Sequence, residues 1–164
     1  MADAATDDIV GSRQVRYSIT GAPMRIVVDT NVWVAAVRSR RGASFALLSM
    51  VDQSCFTFGV SVPLYLQYRA KFADHAVMAA SGLSEERRNA VLAALAHFAA
   101  PVPIYFQLRP NLRDENDNMV FECAANFGAR IIVTHNIRDF RGGELRAYGI
   151  EPVEPGAFLR MLEE

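Results

Sequence analysis

Carboxylate side chains follow two β-branched runs of this chain, at the points where strands would end. Asp29 comes directly after the run RIVV, and Asp139 lies in the segment that follows the run RIIV. Asp114 and Asp117 lie just before or within the first turn of a helix predicted between the two runs. Clusters of carboxylate oxygens suit magnesium or manganese, because the cation neutralises their mutual repulsion. The pattern therefore predicts a divalent-metal site.

Each of these carboxylates also has a purely structural interpretation. Asp29 could cap the helix that follows it, although Thr30 and Asn31 can also serve as the cap. Asp117, near a helix start, would complement the helix macrodipole. Asp139 could pair with a neighbouring arginine on the surface. The position of Asp29 and Asp139 after strands favours metal binding, since ligands of parallel sheets bind outside the carboxyl ends of the strands.

The three histidines and two cysteines lack the spacing of zinc or redox sites. His75 and His97 are far apart and His135 stands alone, whereas a zinc-binding helix needs a pair at i and i+4. We interpret His135 as a packing or solvent-facing residue rather than a ligand contact. Cys55 and Cys123 have no C-x-x-C spacing, which favours reduced, packed cysteines.

Predicted strands and helices alternate along the chain, which is typical of a parallel sheet with helices on both faces. β-branched runs predict the strands, and helical spacing of apolar residues with capping residues or prolines at helix starts predicts the helices. The predicted strands cover residues 25–28, 56–62, 103–106 and 130–134, with a last one near Ile150. The predicted helices cover residues 32–38, 43–51, 63–79, 84–100 and 116–127, with a last one opened by Pro155.

Length and composition fit one globular domain. The 164 residues are 51% hydrophobic and 21% charged, enough apolar material for one core. Residues 1–23 show no sustained period, and we interpret them as an extension that is flexible or added to the natural chain, before a domain at 24–164. No apolar run approaches the roughly 20 residues of a membrane span, and the acidic start does not resemble a secretory signal. We therefore expect no membrane partner and a cytoplasmic location.

The basic residues are almost all arginine, since Lys71 is the only lysine. The guanidinium fork suits phosphate oxygens, which makes clustered arginines candidates for contacts with a nucleic-acid backbone. A solvated arginine-rich surface explains the same pattern, and the net charge of −1 does not call for an anionic partner. The candidate RNA-binding residues are Arg38, Arg40, Arg41 and Arg138.

From Met24 to Leu162 the chain resembles the PIN-domain nucleases, and within them the VapC-like toxins of toxin–antitoxin systems. Four segments carry the resemblance in order: RIVVDTNVWVAAV, FGVSVPLYLQY, LRDENDNMVFECAANFGARIIVTHNIRDF and GIEPVEPGAFLRML. The resemblance implies a three-layer α/β/α fold with a central parallel sheet. It also implies a metal-dependent endoribonuclease that uses Mg²⁺ or Mn²⁺.

The residues that match the family pattern imply a catalytic set. Asp29 matches the first family acid, and Asn136 with Asp139 matches the polar pair after the later strand. Asp117 matches part of the central acidic patch. The resemblance thus implies metal binding by Asp29, Asp117 and Asp139, with Asn136 as a further catalytic residue. Residues that could support them are Thr30, Asn31, Asp114, Glu122 and Thr134.

Two positions depart from the family pattern. Gln67 stands where the family usually has a glutamate, and Asp117 is followed by Asn118 where the family usually has two adjacent carboxylates. An amide oxygen supplies no charge, so we expect weaker metal binding than in the family.

Three functions remain open on the sequence. The leading hypothesis is an endoribonuclease toxin with an RNA substrate, a cognate antitoxin and a homodimeric state, and intact Asp29, Asn136 and Asp139 favour it. A catalytically weak or inactive module that binds RNA or an antitoxin is the alternative, which Gln67 and Asn118 favour. A phosphatase or phospho-receiver domain also has an aspartate after its first strand, but it ranks below both because the only lysine is predicted mid-helix.

Overall fold

A single parallel sheet organises the computed structural model, which describes residues 22–109 and 111–164. The predicted extension therefore lies almost wholly outside the described residues. The sheet order is β3-β2-β1-β4-β5, and the strands are β1 (Met24–Val28), β2 (Phe56–Val60), β3 (Ala100–Pro101), β4 (Ile131–Val133) and β5 (Glu151–Val153). All four strand pairs are parallel.

Helices connect the strands and cover the sheet, so the predicted three-layer α/β/α fold is confirmed. The described helices are α1 (Thr30–Arg38), α2 (Ala43–Leu48), α3 (Val62–Ala73), α4 (His75–Met78), α5 (Glu85–Phe98), α6 (Glu115–Phe127) and α7 (Pro155–Glu163). Short 3-10 turns lie at Ala79–Ser81, Ile137–Phe140 and Leu145–Tyr148. No helix within the described ranges has the length and apolar character to cross a membrane.

The neighbouring strands β1 and β4 are apolar because both of their faces are covered by helices. Val27, Val28, Ile132 and Val133 have no exposed surface, which is typical of a parallel strand between two helical layers. The fully buried Trp33 of α1 packs edge-on against Phe58 of β2, with ring centroids 5.9 Å apart. Cys55 and Cys123 are free cysteines, and Cys123 packs in this core.

The prediction of one long helix at 63–79 is wrong, because the helix is interrupted at Asp74. Asp74 ends α3 and begins α4, and its Oδ1 accepts a hydrogen bond from the Val77 backbone N–H at 3.1 Å. A short carboxylate side chain can satisfy free N–H groups in this way and so favours a new helix start over helix continuation. The predicted Ser84 cap of the next helix is confirmed, since its side chain accepts from the Arg87 N–H.

The strand predicted at 103–106 is also wrong, and the edge strand β3 lies a few residues earlier. The backbone N–H groups of Tyr105 and Phe106 donate to Oδ1 of Asn126 in α6, at 2.9 and 3.3 Å. The Asn126 side chain accepts hydrogen bonds from N–H groups that would otherwise pair with a neighbouring strand. Pro101 and Pro103 have no backbone N–H to donate to such a strand. The segment therefore packs on α6 as irregular chain.

Smaller differences concern where elements end. The strand predicted at 56–62 ends at Val60, because the Ser61 side chain accepts from the Leu64 N–H and caps α3. The helix predicted at 43–51 ends at Leu48. Asp29, rather than Thr30 or Asn31, takes the N-cap position of α1, although its side chain makes no capping hydrogen bond of normal geometry.

Candidate functional site

The register of strands β1 and β4 brings Asp29 and Thr134 together. Val28 pairs with Val133, so the residues that follow these strands emerge side by side at the same edge of the sheet. The backbone N–H of Asp29 donates to the Val133 carbonyl at 2.9 Å, and Thr134 Oγ1 donates to Asp29 Oδ2 at 2.7 Å. This hydrogen bond fixes the orientation of the Asp29 carboxylate, although Asp29 and Thr134 are 105 residues apart in sequence.

Burial has the largest effect on the pKa of Asp29, whose side chain is nearly buried. Removal from water raises its pKa above the ordinary value, although the Thr134 hydroxyl and the nearby N–H groups of Thr30 and Asn31 act to lower it. The charge of His135 has a smaller lowering effect. A buried carboxylate with a raised pKa is costly to ionise, and a bound cation would offset that cost.

Tyr68 holds the backbone before Asp29, and Thr134 holds the Asp29 side chain. The fully buried Tyr68 hydroxyl of α3 donates to the carbonyl of Val28, the last residue of β1. Thr134 has no exposed surface, and its Oγ1 also accepts from the Asn136 N–H at 3.0 Å. One buried hydroxyl thus couples Asp29 to the turn that carries Asn136.

Asp117 projects from the first turn of α6 toward the same acidic neighbourhood. Its pKa is raised to about 7, first by burial and then by the negative charges of Asp29, Asp114 and Asp139. These through-space effects mean that the predicted carboxylates share one region of the fold, with more negative charge than the protein compensates. Asp139 and Asn136 lie exposed on the turn after β4.

The described residues contain no group of three histidine, cysteine, aspartate or glutamate side chains close enough to hold one ion. The donor chemistry nevertheless fits a hard cation, because the groups that act on Asp117 are the carboxylates of Asp29, Asp114 and Asp139, which offer oxygen ligands. This donor set carries the fit, and the pKa of Asp117, raised first by burial and then by the neighbouring carboxylates, is consistent with it.

Gln67, one of the two departures from the family pattern, contacts the neighbourhood of Asp29. Its Oε1 accepts a hydrogen bond from Thr30 Oγ1 at 3.0 Å. Thr30 follows Asp29 directly and is itself buried. The amide oxygen therefore holds a residue adjacent to the acidic neighbourhood.

Asn118, the other departure, is used to hold the backbone. Its Oδ1 accepts from the Leu112 N–H at 2.7 Å and the Asn111 N–H at 3.2 Å, and its Nδ2 donates to the Leu112 carbonyl at 3.2 Å. The side chain is 1% exposed. A carboxylate cannot make the third of these bonds, so this position requires an amide.

Glu122, a possible supporting residue, makes structural contacts of its own. This buried carboxylate accepts from the Leu108 N–H at 3.2 Å and pairs with Arg109 at 3.1 Å. Arg109 also pairs with Glu115. Glu122 therefore holds the segment before α6 in place.

Asp114 has a structural contact of its own as the α6 N-cap, where its Oδ1 accepts from the Asn116 N–H at 2.8 Å.

The four candidate RNA-binding arginines lie in two separate places. Arg38 ends α1 and donates from Nε to the Val77 carbonyl at 2.9 Å, which ties α1 to α4. Arg40 and Arg41 are exposed just before α2, whereas Arg138 lies on the turn after β4, beside Asp139.

Sequence reasoning missed a contact between Ser44 and His135. Ser44 is buried at the start of α2, and its Oγ lies 2.7 Å from Nε2 of His135. The Asn31 side chain accepts from the His135 backbone N–H at 3.3 Å, which anchors this residue a second time. The partners are 91 residues apart, so no local spacing could have indicated the pair.

Comparison with known proteins agrees with this architecture. A family model described as the PIN domain matches residues 25–138, more than half of the chain. One chain of a solved structure, the crystal structure of VapBC2 from Rickettsia felis bound to a DNA fragment from their promoter, is similar in fold. The TM-score is 0.55 at 14% identity, over 80% of this chain and 98% of that chain. No curated protein matches the sequence. The chain therefore belongs to the PIN domain family.

Proposed function

We propose that this chain is a metal-dependent endoribonuclease with Asp29, Asp117 and Asp139 as its acidic site. The observation that carries the proposal is the placement of Asp29 at the end of β1, next to the end of β4 that leads to Asp139, with Asp117 near enough for both charges to raise its pKa. Such uncompensated charge is typical of sites that take a cation or a proton during the reaction. Membership of the PIN domain family supports nuclease chemistry at this position. Residues 24–164 form the proposed nuclease domain.

The proposed ion is Mg²⁺ or Mn²⁺, held by Asp29, Asp117 and Asp139. When bound, it would supply an activated water and shield charge on the phosphate oxygens. The protein residues orient the reactants: Asp117 or Asp139 accepts a hydrogen bond from the attacking water, and the Asn136 amide donates to a substrate oxygen. Thr134 keeps Asp29 in one orientation through its 2.7 Å hydrogen bond.

We further propose that the chain is the toxin of a toxin–antitoxin pair and acts in the cytoplasm. Support comes from the fold shared with a chain of the VapBC2 structure and from the VapC-like motifs of the sequence. The proposed partners are an RNA substrate, a cognate antitoxin and a second copy of the chain.

A binding module without catalysis is the second candidate function. It is favoured by Gln67 and Asn118, whose amides serve hydrogen bonds to Thr30 and to the 111–112 backbone. The absence of a compact three-ligand group among the described residues also favours it. Such a protein would bind RNA or an antitoxin without cleaving RNA.

Cleavage of a mixed RNA pool distinguishes the two functions. The purified chain is incubated with Mg²⁺, with Mn²⁺ and with a chelator, beside Asp29→Asn and a control, Asp52→Asn, at an exposed position outside the site. The proposal predicts metal-dependent cleavage by the native chain and the control, and loss in Asp29→Asn. Cleavage that survives the chelator or Asp29→Asn contradicts it, and absence of cleavage with both metals supports the binding module.

A further inference from the structure

The side chain of His135 is held in one orientation by a residue from another part of the fold. Its ring nitrogen Nε2 lies 2.7 Å from Oγ of Ser44, which is 6% exposed near the start of α2. The Asn31 side chain fixes the backbone of the same residue, because its Oδ1 accepts from the His135 N–H at 3.3 Å. Within the described residues, the Ser44 hydroxyl has His135 as its one hydrogen-bond partner. A buried hydroxyl thus serves to hold an exposed imidazole.

The contact with Ser44 leaves the other ring nitrogen, Nδ1, available to a ligand. Nδ1 makes no hydrogen bond to any residue that the structure describes, and His135 is exposed. His135 lines a surface cavity together with Asn136 and Asp139, two members of the proposed catalytic set. Its charge also acts to lower the pKa of Asp29, which is consistent with a ring close to the end of β1. The imidazole therefore lies beside the residues proposed to meet the scissile phosphate.

The proposed reaction needs a proton donor that the carboxylates do not supply. Negative charge develops on the ribose oxygen that leaves phosphorus, and a positioned acid that protonates it speeds such a step by about 100- to 10,000-fold. Arg138, Arg141 and Glu154 line the same cavity as His135. A guanidinium group does not release its proton, and a carboxyl group is ordinarily ionised at neutral pH. Histidine is the residue type in this lining that ordinarily exchanges a proton near neutral pH.

We propose that His135 is the general acid of the reaction and that Ser44 is its positioning residue. The inference rests on the proposed ribonuclease function. Water attacks phosphorus and its spare proton passes to solvent, while the bond from phosphorus to the leaving ribose oxygen breaks with its electron pair on oxygen. Nδ1 of the His135 imidazolium gives that oxygen a proton. The neutral ring keeps its proton on Nε2, which donates to Ser44 Oγ, and Nδ1 regains a proton from solvent.

A substrate whose leaving atom needs no proton tests this role. Two matched oligoribonucleotides carry either oxygen or sulfur as the leaving atom at one cleavable bond, and a thiolate departs unprotonated because a thiol is a much stronger acid than an alcohol. Cleavage is measured with Mg²⁺ or Mn²⁺ for the native chain, His135→Gln, Ser44→Ala and a matched control, His75→Gln, at an exposed histidine of α4.

We expect His135→Gln to cleave the oxygen substrate about 100-fold or more slowly than the native chain, and the sulfur substrate less than about tenfold more slowly. Ser44→Ala should show the same preference for the sulfur substrate with smaller losses, and His75→Gln should match the native chain on both substrates. Activity of His135→Gln on the sulfur substrate also shows that this variant is folded.

Equal losses of His135→Gln on the two substrates would overturn the proposal and leave the ribonuclease function intact. Absence of metal-dependent cleavage of either substrate by the native chain is a different result, which overturns the ribonuclease function and this role with it. Nitrogen NMR of the histidine-labelled chain gives a readout without cleavage. The neutral His135 ring should carry its proton on Nε2, and a neutral ring with its proton on Nδ1 would overturn the assignment of Nδ1 as the acid.

Discussion

At the scale of single residues, the hydroxyl of Thr134 is the contact that orients Asp29. Thr134→Val keeps the shape of the side chain but leaves the buried Asp29 Oδ2 and the Asn136 N–H without their partner. Loss of such a buried hydrogen bond costs about 1 to 3 kcal/mol. We expect a matching fall in the free energy of unfolding by urea and a loss of cleavage. Thr134→Ser retains the hydroxyl and should preserve most of both, and equal behaviour of the two variants would contradict this role.

The two amides at family-acid positions should respond in opposite ways to an added carboxylate. Gln67→Glu keeps an oxygen that can accept from Thr30 Oγ1, so we expect near-native stability and tighter Mn²⁺ binding. Asn118→Asp loses the donor to the Leu112 carbonyl and buries a charge, which we expect to cost about 2 kcal/mol or more. Urea unfolding of both variants is the measurement. Equal stability of the two would show that Asn118 is not a structural amide.

The carboxyl group of Asp117 makes the stability of the metal-free chain depend on pH. Its folded-state pKa is about 7, above the ordinary value of 3.8, so the folded chain binds the extra proton between these values. The free energy of unfolding therefore falls as pH rises through this window, because ionisation in the fold is unfavourable. Asp117→Asn should flatten this part of the pH profile and stabilise the chain at pH values above the window. Parallel profiles for the two proteins, measured by urea unfolding in chelator, would contradict the assignment.

At the scale of elements, the loop that follows the turn after β4 should be sensitive at one glycine and tolerant at its neighbour. Gly143→Ala forces a left-handed alanine against Asn111 Oδ1, which we expect to cost about 1 to 3 kcal/mol. A Cβ on Gly142 would meet nothing within 4 Å, so Gly142→Ala is the matched control. Thermal unfolding of the two variants is the measurement. A tolerated Gly143→Ala would show that the loop is not held as described.

Elements with strong local patterns were predictable from the sequence. The RIVV and RIIV runs became β1 and β4 with their boundaries shifted by one residue or less at each end, because buried β-branched runs leave little choice of structure. The break at Asp74 and the irregular chain at 103–106 were not predicted, since both depend on side-chain hydrogen bonds that compete with regular structure.

The candidate site was predictable only in part. Strand-end positions pointed to Asp29 and Asp139, since the topology of a parallel sheet fixes where such residues emerge. Thr134, which orients Asp29, was named as a supporting residue, but two other contacts were not predictable. The hydrogen bond of Ser44 with His135 and the chain of contacts from Asn118 to Glu144 join residues distant in sequence. The roles of Asp29, Asp117, Asp139 and Asn136 stay a prediction.

At the scale of the whole molecule, helix α6 supports both the acidic neighbourhood and the loop between Arg141 and Arg146. Helix α6 carries Asp117 toward the carboxylates and Asn118 toward the 111–112 backbone, and adjacent residues thus serve the two regions. The contact from Asn111 to Glu144 continues this support to the loop between Arg141 and Arg146. A change in α6 should therefore affect the acidic neighbourhood and this loop together.

Calorimetric titration of the purified chain with Mn²⁺ tests most directly whether the carboxylates of this PIN domain form a metal site. The native chain and Asp52→Asn are predicted to bind the ion with similar affinity, and Asp29→Asn to bind it at least about tenfold more weakly, because a lost carboxylate removes both a ligand and a charge. No binding by the native chain, or equal binding by Asp29→Asn, would contradict the proposed site.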